Sequence, residues 1–378
     1  MAGSRLQSVD ALRGLVMIVM ALDHTREYFS AAKFQPDDLT QTTVALFFTR
    51  WVTHICAPVF MFTAGLGAFL WLSRGRTIGE LSRFLWKRGL WLVILELTAL
   101  RFAMYFSLLH GMVLLTILWA LGWSMVALGF LVWIPIRPLA AISIAVIALH
   151  NLADKVNASQ FHGAAWVWNI LHQPGIFTVL GSPVLLAYPL APWIFVMAAG
   201  YCFGPILQME AWRRRWWMVR MGCGSIAAFL AIRAINVYGD PVRWSRKIQG
   251  MTVLSFLRIT KYPPSLDFLL ITLGAALLIQ TWLDGCSFSR TNPLIVFGRV
   301  PLFYFLLHFF IIHLLTIPFA LVRYGTAESV LGGPSDTGGY ELWVVYAVWI
   351  GVVAIAYPAC LWFSRLKERR GDWWLSYL

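Results

Sequence analysis

Ser8 to Phe29 reads SVDALRGLVMIVMALDHTREYF, an apolar stretch into which Arg13 and His24 are set eleven positions apart. An ionisable side chain exposed to hydrocarbon costs a few kcal/mol or more, so such residues turn toward protein or water and mark function by default. A helix turns about 100° per residue, so eleven steps bring His24 back to within about 20° of the Arg13 direction and about 16 Å along the axis. Asp10 falls on that face as well. The stretch therefore predicts a first membrane-spanning helix with one polar face.

The rest of the chain agrees with a membrane setting. Of 378 residues, 60% are hydrophobic and 12% charged, with a mean hydropathy of +0.71, well beyond an ordinary soluble domain. The excess of 30 Lys+Arg over 17 Asp+Glu falls mostly in short segments between apolar runs, as in cytoplasmic loops, which argues against nucleic-acid binding. Cys56, Cys202, Cys223, Cys286 and Cys360 lack metal-ligand spacing and read as small hydrophobes. No His or Cys pair stands at the i, i+4 spacing of a zinc helix, so no metal is expected. Trp216-Trp217 and Trp373-Trp374, beside basic residues, read as interfacial anchors. Ser30-Ala31-Ala32 loosely resembles a signal-peptide cleavage site, but Asp23, His24, Arg26 and Glu27 interrupt the approach to it.

Apolar runs long enough to cross about 30 Å of hydrocarbon predict an all-α, polytopic bundle of about ten spans: 13–29, 46–72, 85–105, 108–133, 139–152, 183–203, 217–235, 266–282, 294–317 and 342–363. The fifth is short. Basic clusters follow the second span (Arg74, Arg76, Arg83, Lys87, Arg88), the sixth (Arg213, Arg214, Arg215) and the last (Arg365, Lys367, Arg369, Arg370), which predicts cytoplasmic N and C termini. Asp37-Asp38 and the Glu328 to Glu341 loop then fall outside. One loop runs against the rule, since Arg243, Arg246, Lys247, Arg258 and Lys261 also fall outside. Either a span is miscounted or the patch is kept for an anionic ligand. Residues 161–179, with His162, His172 and Pro174, read as a re-entrant or interfacial segment. No repeat or soluble domain is apparent, and the chain reads as a single domain over 1–378.

In this topology several parts of the chain bring ionisable groups to one depth. They are His24 on the first span, Arg50 and His54 on the second, His308 and His313 on the ninth, and the 258–264 stretch before the eighth. Histidine suits proton transfer near neutral pH. Asp23, next to His24, points about 100° away from it and is a poor partner. The alternative reading of His24 is a helix-end residue hydrogen-bonded at the interface. For His54 and His308 a structural role is equally open, and for His110, His150, His162 and His172 it is favoured. Asp10 and Arg13, three apart, form either a local ion pair closing the helix start or, through Arg13 and Arg88, part of a phosphate site suited to the forked guanidinium. Phe297-Gly298-Arg299-Val300-Pro301 opens the ninth span, and Tyr304 and His308 share a face beyond it.

These residues carry a resemblance. Ser8 to Gly14 with Asp23-His24, then Pro58 to Gly65, Tyr188 to Trp193 with Gly200-Tyr201, Thr260 to Leu266, and Phe297 to Tyr304 with His308 and Ile312-His313, together resemble the bacterial branch of the heparan-α-glucosaminide N-acetyltransferase catalytic-domain family, nearly end to end. The arginine-to-histidine spacing is similar to that of the wider superfamily of transmembrane acyltransferases. The resemblance implies transfer of an acyl group, in the first instance acetyl, from cytoplasmic acetyl-CoA to a sugar or glycan acceptor on the far side, using an intramembrane histidine. The lysosomal members carry Asn where this chain has His24 and use a His in the following loop. This chain reads Lys33-Phe34-Gln35-Pro36 there, which moves the role to His24.

The expected sites follow. His24, as general base or acyl carrier, Arg13, Asp23 and His308 form the catalytic group. Arg13, Arg83, Lys87 and Arg88 hold the donor, and Arg26, His54, Arg258, Lys261, Tyr262, Arg299 and Tyr304 meet the acceptor. The expected partners are acyl-CoA, a carbohydrate-type acceptor and membrane lipid, with a homodimer open and the chain integral to the cell (inner, cytoplasmic) membrane. The rival class is a transporter or exporter of a sugar or organic anion, since intramembrane His and Arg also line permeation paths. A third is a non-catalytic envelope scaffold.

Overall fold

The computed structural model describes residues 7–108, 111–179, 181–246, 250–326, 339–370, 372 and 375. His110, Lys247, Glu328 and Trp373-Trp374, singled out above, lie outside them. The described chain is mostly helical, with one small sheet. Seven of its helical stretches are long and apolar enough to cross a membrane: Val44–Leu72, Ile136–Lys155, Leu190–Leu207, Ala211–Ile235, Leu266–Leu283, Pro301–Tyr324 and Leu342–Arg369. The first helix, α1 (Gln7–Phe29), is equally long but carries Asp10, Arg13, Asp23, Arg26 and Glu27.

The chain divides into two compact units. The first comprises Ala57–Glu96 and Met112–Gly285. It contains most of α3 (Cys56–Leu72), then α4 (Ile78–Leu95), α6 (Ile117–Leu131), α7 (Ile136–Leu149), α8 (Ala165–Leu171), α9 (Leu190–Leu207), α10 (Ala211–Ile235), α11 (Thr252–Leu257) and α12 (Leu266–Leu283). Its helices pair as α4 with α6, α7 with α9, and α10 with α12. Glycines let the backbones meet. A Cβ on Gly65 would run into the Met197 carbonyl, and one on Gly200 into that of Phe62. Small residues at such crossings are the usual way for helices to pack where lipid offers no hydrophobic drive.

Two of the ten expected spans start differently from their apolar pattern. The run from Leu108 enters strand β1 (Val113–Leu115) before α6, and the run from Pro183 begins as β3 (Ser182–Leu186) before α9. With β2 (Gly175–Val179) they form a sheet ordered β1-β3-β2, in which β3 pairs parallel to β1 and antiparallel to β2. An apolar run of strand length looks the same as part of a helix, so periodicity does not separate them. The 161–179 stretch is likewise composite, a 3-10 segment (Ala158–Ala164), then α8, then β2.

Buried polar groups fasten this unit. Glu96, in a π-helical segment after α4, has one carboxylate oxygen accepting from the Thr116 backbone N–H and hydroxyl at 2.7 and 2.6 Å. Its other oxygen accepts from the Leu118 and Trp119 N–H groups at 3.0 and 3.2 Å. It thus caps α6 from outside, satisfying orphan amides at a positive helix end.

The second unit comprises Leu6–Cys56, Leu97–Gly111 and Cys286–Leu378. It holds α1, α2 (Val44–Val52), α5 (Arg101–Tyr105), α13 (Pro293–Arg299), α14 (Pro301–Tyr324) and α15 (Leu342–Arg369). α1 is its axis, packed against α13, α14 and α15. A Cβ on Gly14 would meet the Leu294 carbonyl, and one on Gly298 that of Asp10. The ninth expected span is two helices, broken at Val300, whose backbone leaves the helical region (φ −128°, ψ 49°), with Pro301 opening α14.

Candidate active site

In the second unit α1 and α14 bring His24 and His308 together. His24 is half-buried, and His308 is fully enclosed. The Nδ1 of His24 lies 2.7 Å from the Nε2 of His308, and their rings stack with centroids 5.0 Å apart. Phe309 stacks on His24 at 4.1 Å, and Phe305 meets His24 edge-on. His308 Nδ1 faces the Tyr304 carbonyl one turn back at 3.0 Å.

A carbonyl only accepts, so His308 Nδ1 carries the proton and donates to it. In the neutral ring, Nε2 of His308 is then the acceptor, and the proton in the 2.7 Å bond belongs to His24 Nδ1. That leaves the lone pair of neutral His24 on Nε2. The backbone of α14 thus sets the tautomers of both rings.

Beside this pair lies a buried ion cluster. Asp23 Oδ1 accepts from Arg26 Nη2 at 3.1 Å and Nε at 3.3 Å, and Oδ2 takes Arg50 from α2. Both carboxylate oxygens of Asp23 are therefore engaged by guanidinium groups. Arg26, expected to meet an acceptor, is buried in this cluster and also lies 3.6 Å from Glu27. Arg50 was named above only for its depth, and the sequence carries no signal for its pairing with Asp23. His54 is buried in a 3-10 turn after α2 that packs against α1.

The remaining expected residues fall as follows. Arg13 is half-buried on α1. Tyr304 is fully buried, its ring parallel to His308 at 5.2 Å and against Phe297 at 4.6 Å, with its hydroxyl enclosed and lacking a hydrogen-bond partner among the described residues. This makes it a packing wall behind His308. Arg299 pairs with Glu368 on α15. His313 donates from Nδ1 to the Ala103 carbonyl at 2.9 Å and stacks on Phe106 at 3.8 Å.

Arg83, Lys87, Arg88, Arg258, Lys261 and Tyr262 belong to the first unit. Arg83 and Lys87 are exposed four residues apart on α4, and Arg88 lies over the Phe84 ring at 5.9 Å. The loop bearing Arg258 and Lys261 is tightly built. Arg233 donates to the carbonyls of Val242, Ser255, Phe256 and Arg258, while Asp240 accepts from Thr260 and Ser265. Lys261 lies 5.1 Å over the Tyr262 ring, which meets Tyr188 edge-on at 4.9 Å. His150 and His172 tie the same unit together, to the Pro264 carbonyl at 2.8 Å and to Asp154 at 2.9 Å. Among the described residues no three His, Cys, Asp or Glu side chains gather as a metal site.

Comparison with known proteins adds the family. No curated protein matches the chain. The family model described as heparan-alpha-glucosaminide N-acetyltransferase, catalytic, matches residues 5–238, a stretch that includes Arg13, Asp23, His24 and Arg50 and stops before α11. Since the match spans well over half of the 378 residues, the chain belongs to the heparan-alpha-glucosaminide N-acetyltransferase catalytic family, and so to the transmembrane acetyltransferases.

Proposed function

We propose that the chain, acting as one domain over 1–378, moves an acetyl group from acetyl-CoA to an amine or hydroxyl of a sugar or glycan acceptor, with His24 as the general base. The observation that carries this is the 2.7 Å bond from His24 Nδ1 to His308 Nε2, with His308 held in turn by the Tyr304 carbonyl. A base oriented by a second group that is itself fixed is the arrangement that acyl transfer uses.

In the reaction, the acceptor nitrogen or oxygen attacks the thioester carbonyl carbon while His24 Nε2 removes its proton. The imidazolium so formed is steadied through Nδ1 by His308. Collapse of the tetrahedral intermediate breaks the C–S bond, and the proton on His24 Nε2 passes to the departing thiolate to give CoA thiol. A positioned base contributes about 10² to 10⁴ in rate. Asp23 serves as a positioning residue, because its pairing with Arg50 fixes α1 at the level of His24. Arg13, in the same unit as His24, supplies a cation for the phosphates of the donor.

The test is to incubate purified protein with radiolabelled acetyl-CoA and a panel of amino sugars. Wild-type protein is expected to release CoA thiol and label an acceptor, and a well-folded His24→Ala protein to lose this by about 10²-fold or more. Full transfer by His24→Ala would end the assignment of the base. No thioester cleavage by wild type under any acceptor would favour the transporter reading.

A further inference from the structure

A stripe of arginine and tryptophan on α10 lies outside the catalytic account. Arg213, Trp216, Trp217 and Arg220 stand at i, i+3, i+4 and i+7, all four are exposed, and at about 100° per residue they share one arc of the helix. The neighbouring arginines are differently placed. Arg214 and Arg215 turn to Asp284 at the end of α12, at 2.9 and 2.8 Å. Asp284 thus answers the two inner guanidinium groups and leaves the outer two to their surroundings.

Arg220 lies inside the apolar stretch of α10, and only 22% of that stretch is buried within the protein. A guanidinium facing hydrocarbon there is costly unless it reaches the interface. It does reach back. Its guanidinium stacks on Trp216, one turn toward the helix start, at 3.7 Å, the direction in which helical side chains lean. Arg213 lies over Trp212 at 5.1 Å at that same end. Glu210, the nearest carboxylate along the chain, accepts from Trp212 Nε1 at 2.8 Å. The stripe therefore offers two cations at headgroup level, held on indole shelves of the kind that sit at membrane interfaces.

We propose that Arg213, Trp216, Trp217 and Arg220 form a binding site for the phosphate of an anionic phospholipid. The guanidinium groups take the phosphate oxygens, for which their forked donors are suited, and the indoles pack along the glycerol and upper acyl chain.

Full-length protein carried in a mixed phosphatidylglycerol and phosphatidylcholine bilayer, released into detergent and weighed by native mass spectrometry, tests this. Wild type is expected to retain phosphatidylglycerol several-fold over phosphatidylcholine. R213Q/R220Q is expected to lose that preference, and R243Q, altered at an exposed loop arginine, to keep it. Millimolar inorganic phosphate should leave retention unchanged, and displacement by it would mark a free-anion site and overturn the lipid assignment. Unaltered preference in R213Q/R220Q would overturn it as well. Should that variant fold poorly, a photoactivatable phosphatidylglycerol on wild-type protein decides. Crosslinks within 212–223 support the site, and crosslinks confined elsewhere refute it.

Discussion

His24 and His308, 284 residues apart in sequence, meet through facing ring nitrogens 2.7 Å apart, and a main-chain carbonyl behind His308 fixes which nitrogen carries each proton. If His308 orients and steadies the base, His308→Ala should lower kcat by about 10²-fold with little change in the KM for acetyl-CoA. His308→Gln, whose side-chain oxygen can accept from His24 Nδ1, should recover part of the loss. Steady-state kinetics over a pH series checks this. A KM rise at unchanged kcat would assign His308 to donor binding instead.

The Asp23 cluster yields a stability prediction. Removing one of the two guanidinium partners of buried Asp23 loses a charged hydrogen bond, at about 1.5–3 kcal/mol. Arg50→Met should therefore lower the Tm in detergent markedly. Asp23→Asn combined with Arg50→Met should do less harm than the sum of the single changes, because the bond the two residues share is lost only once. Additive losses would show that the pair does not couple.

Glu96 makes a separate case at the start of α6. Its carboxylate accepts from three backbone amides and one hydroxyl, so Glu96→Ala leaves buried donors unsatisfied at about 1–3 kcal/mol. Glu96→Gln, which keeps an acceptor oxygen, should lie between the variant and wild type. Hydrogen exchange at residues 116–119 should rise in Glu96→Ala before the rest of α6 does, and equal protection in both proteins would refute the cap.

At the exposed start of α4, Thr77 and Glu80 form a capping box. Hydrogen bonds from the Thr77 backbone N–H and hydroxyl hold the Glu80 carboxyl below its ordinary value of 4.5. A lowered carboxylate contributes stability above its unfolded value and loses it as pH falls through the folded one. Acidification below about pH 4.5 should therefore fray the first turn of α4 in wild type, whereas Glu80→Gln should show no such step. Exchange at residues 78–81 measured across that range checks it.

Much of this architecture was legible in the chain. Apolar length found the helices, and an uninterrupted α1 places Arg13 and His24 on a shared side, as eleven steps of 100° require. Asp23 was a poor partner for its neighbour on angular grounds, and the structure gives both its oxygens to Arg26 and Arg50. Legibility ended at long-range pairing. Nothing local to His24 names His308, and nothing local to Asp23 names Arg50, because such contacts depend on how α1, α2 and α14 pack. Val113–Leu115 and Pro183–Leu186 fall inside runs long and apolar enough to read as spans, because apolar length alone does not separate a short strand from the start of a helix. Tyr304 was read toward an acceptor from its face alone, yet that face is closed by Phe297 and the imidazole.

The oxygen that orders the two imidazoles is part of the peptide chain at Tyr304, and every amino acid at that position would supply it. The hydrogen-bond polarity of the histidine pair is therefore insulated from side-chain drift. Mutation can widen, narrow or recharge the surroundings of His24, while the nitrogen that His24 turns away from His308 stays the same.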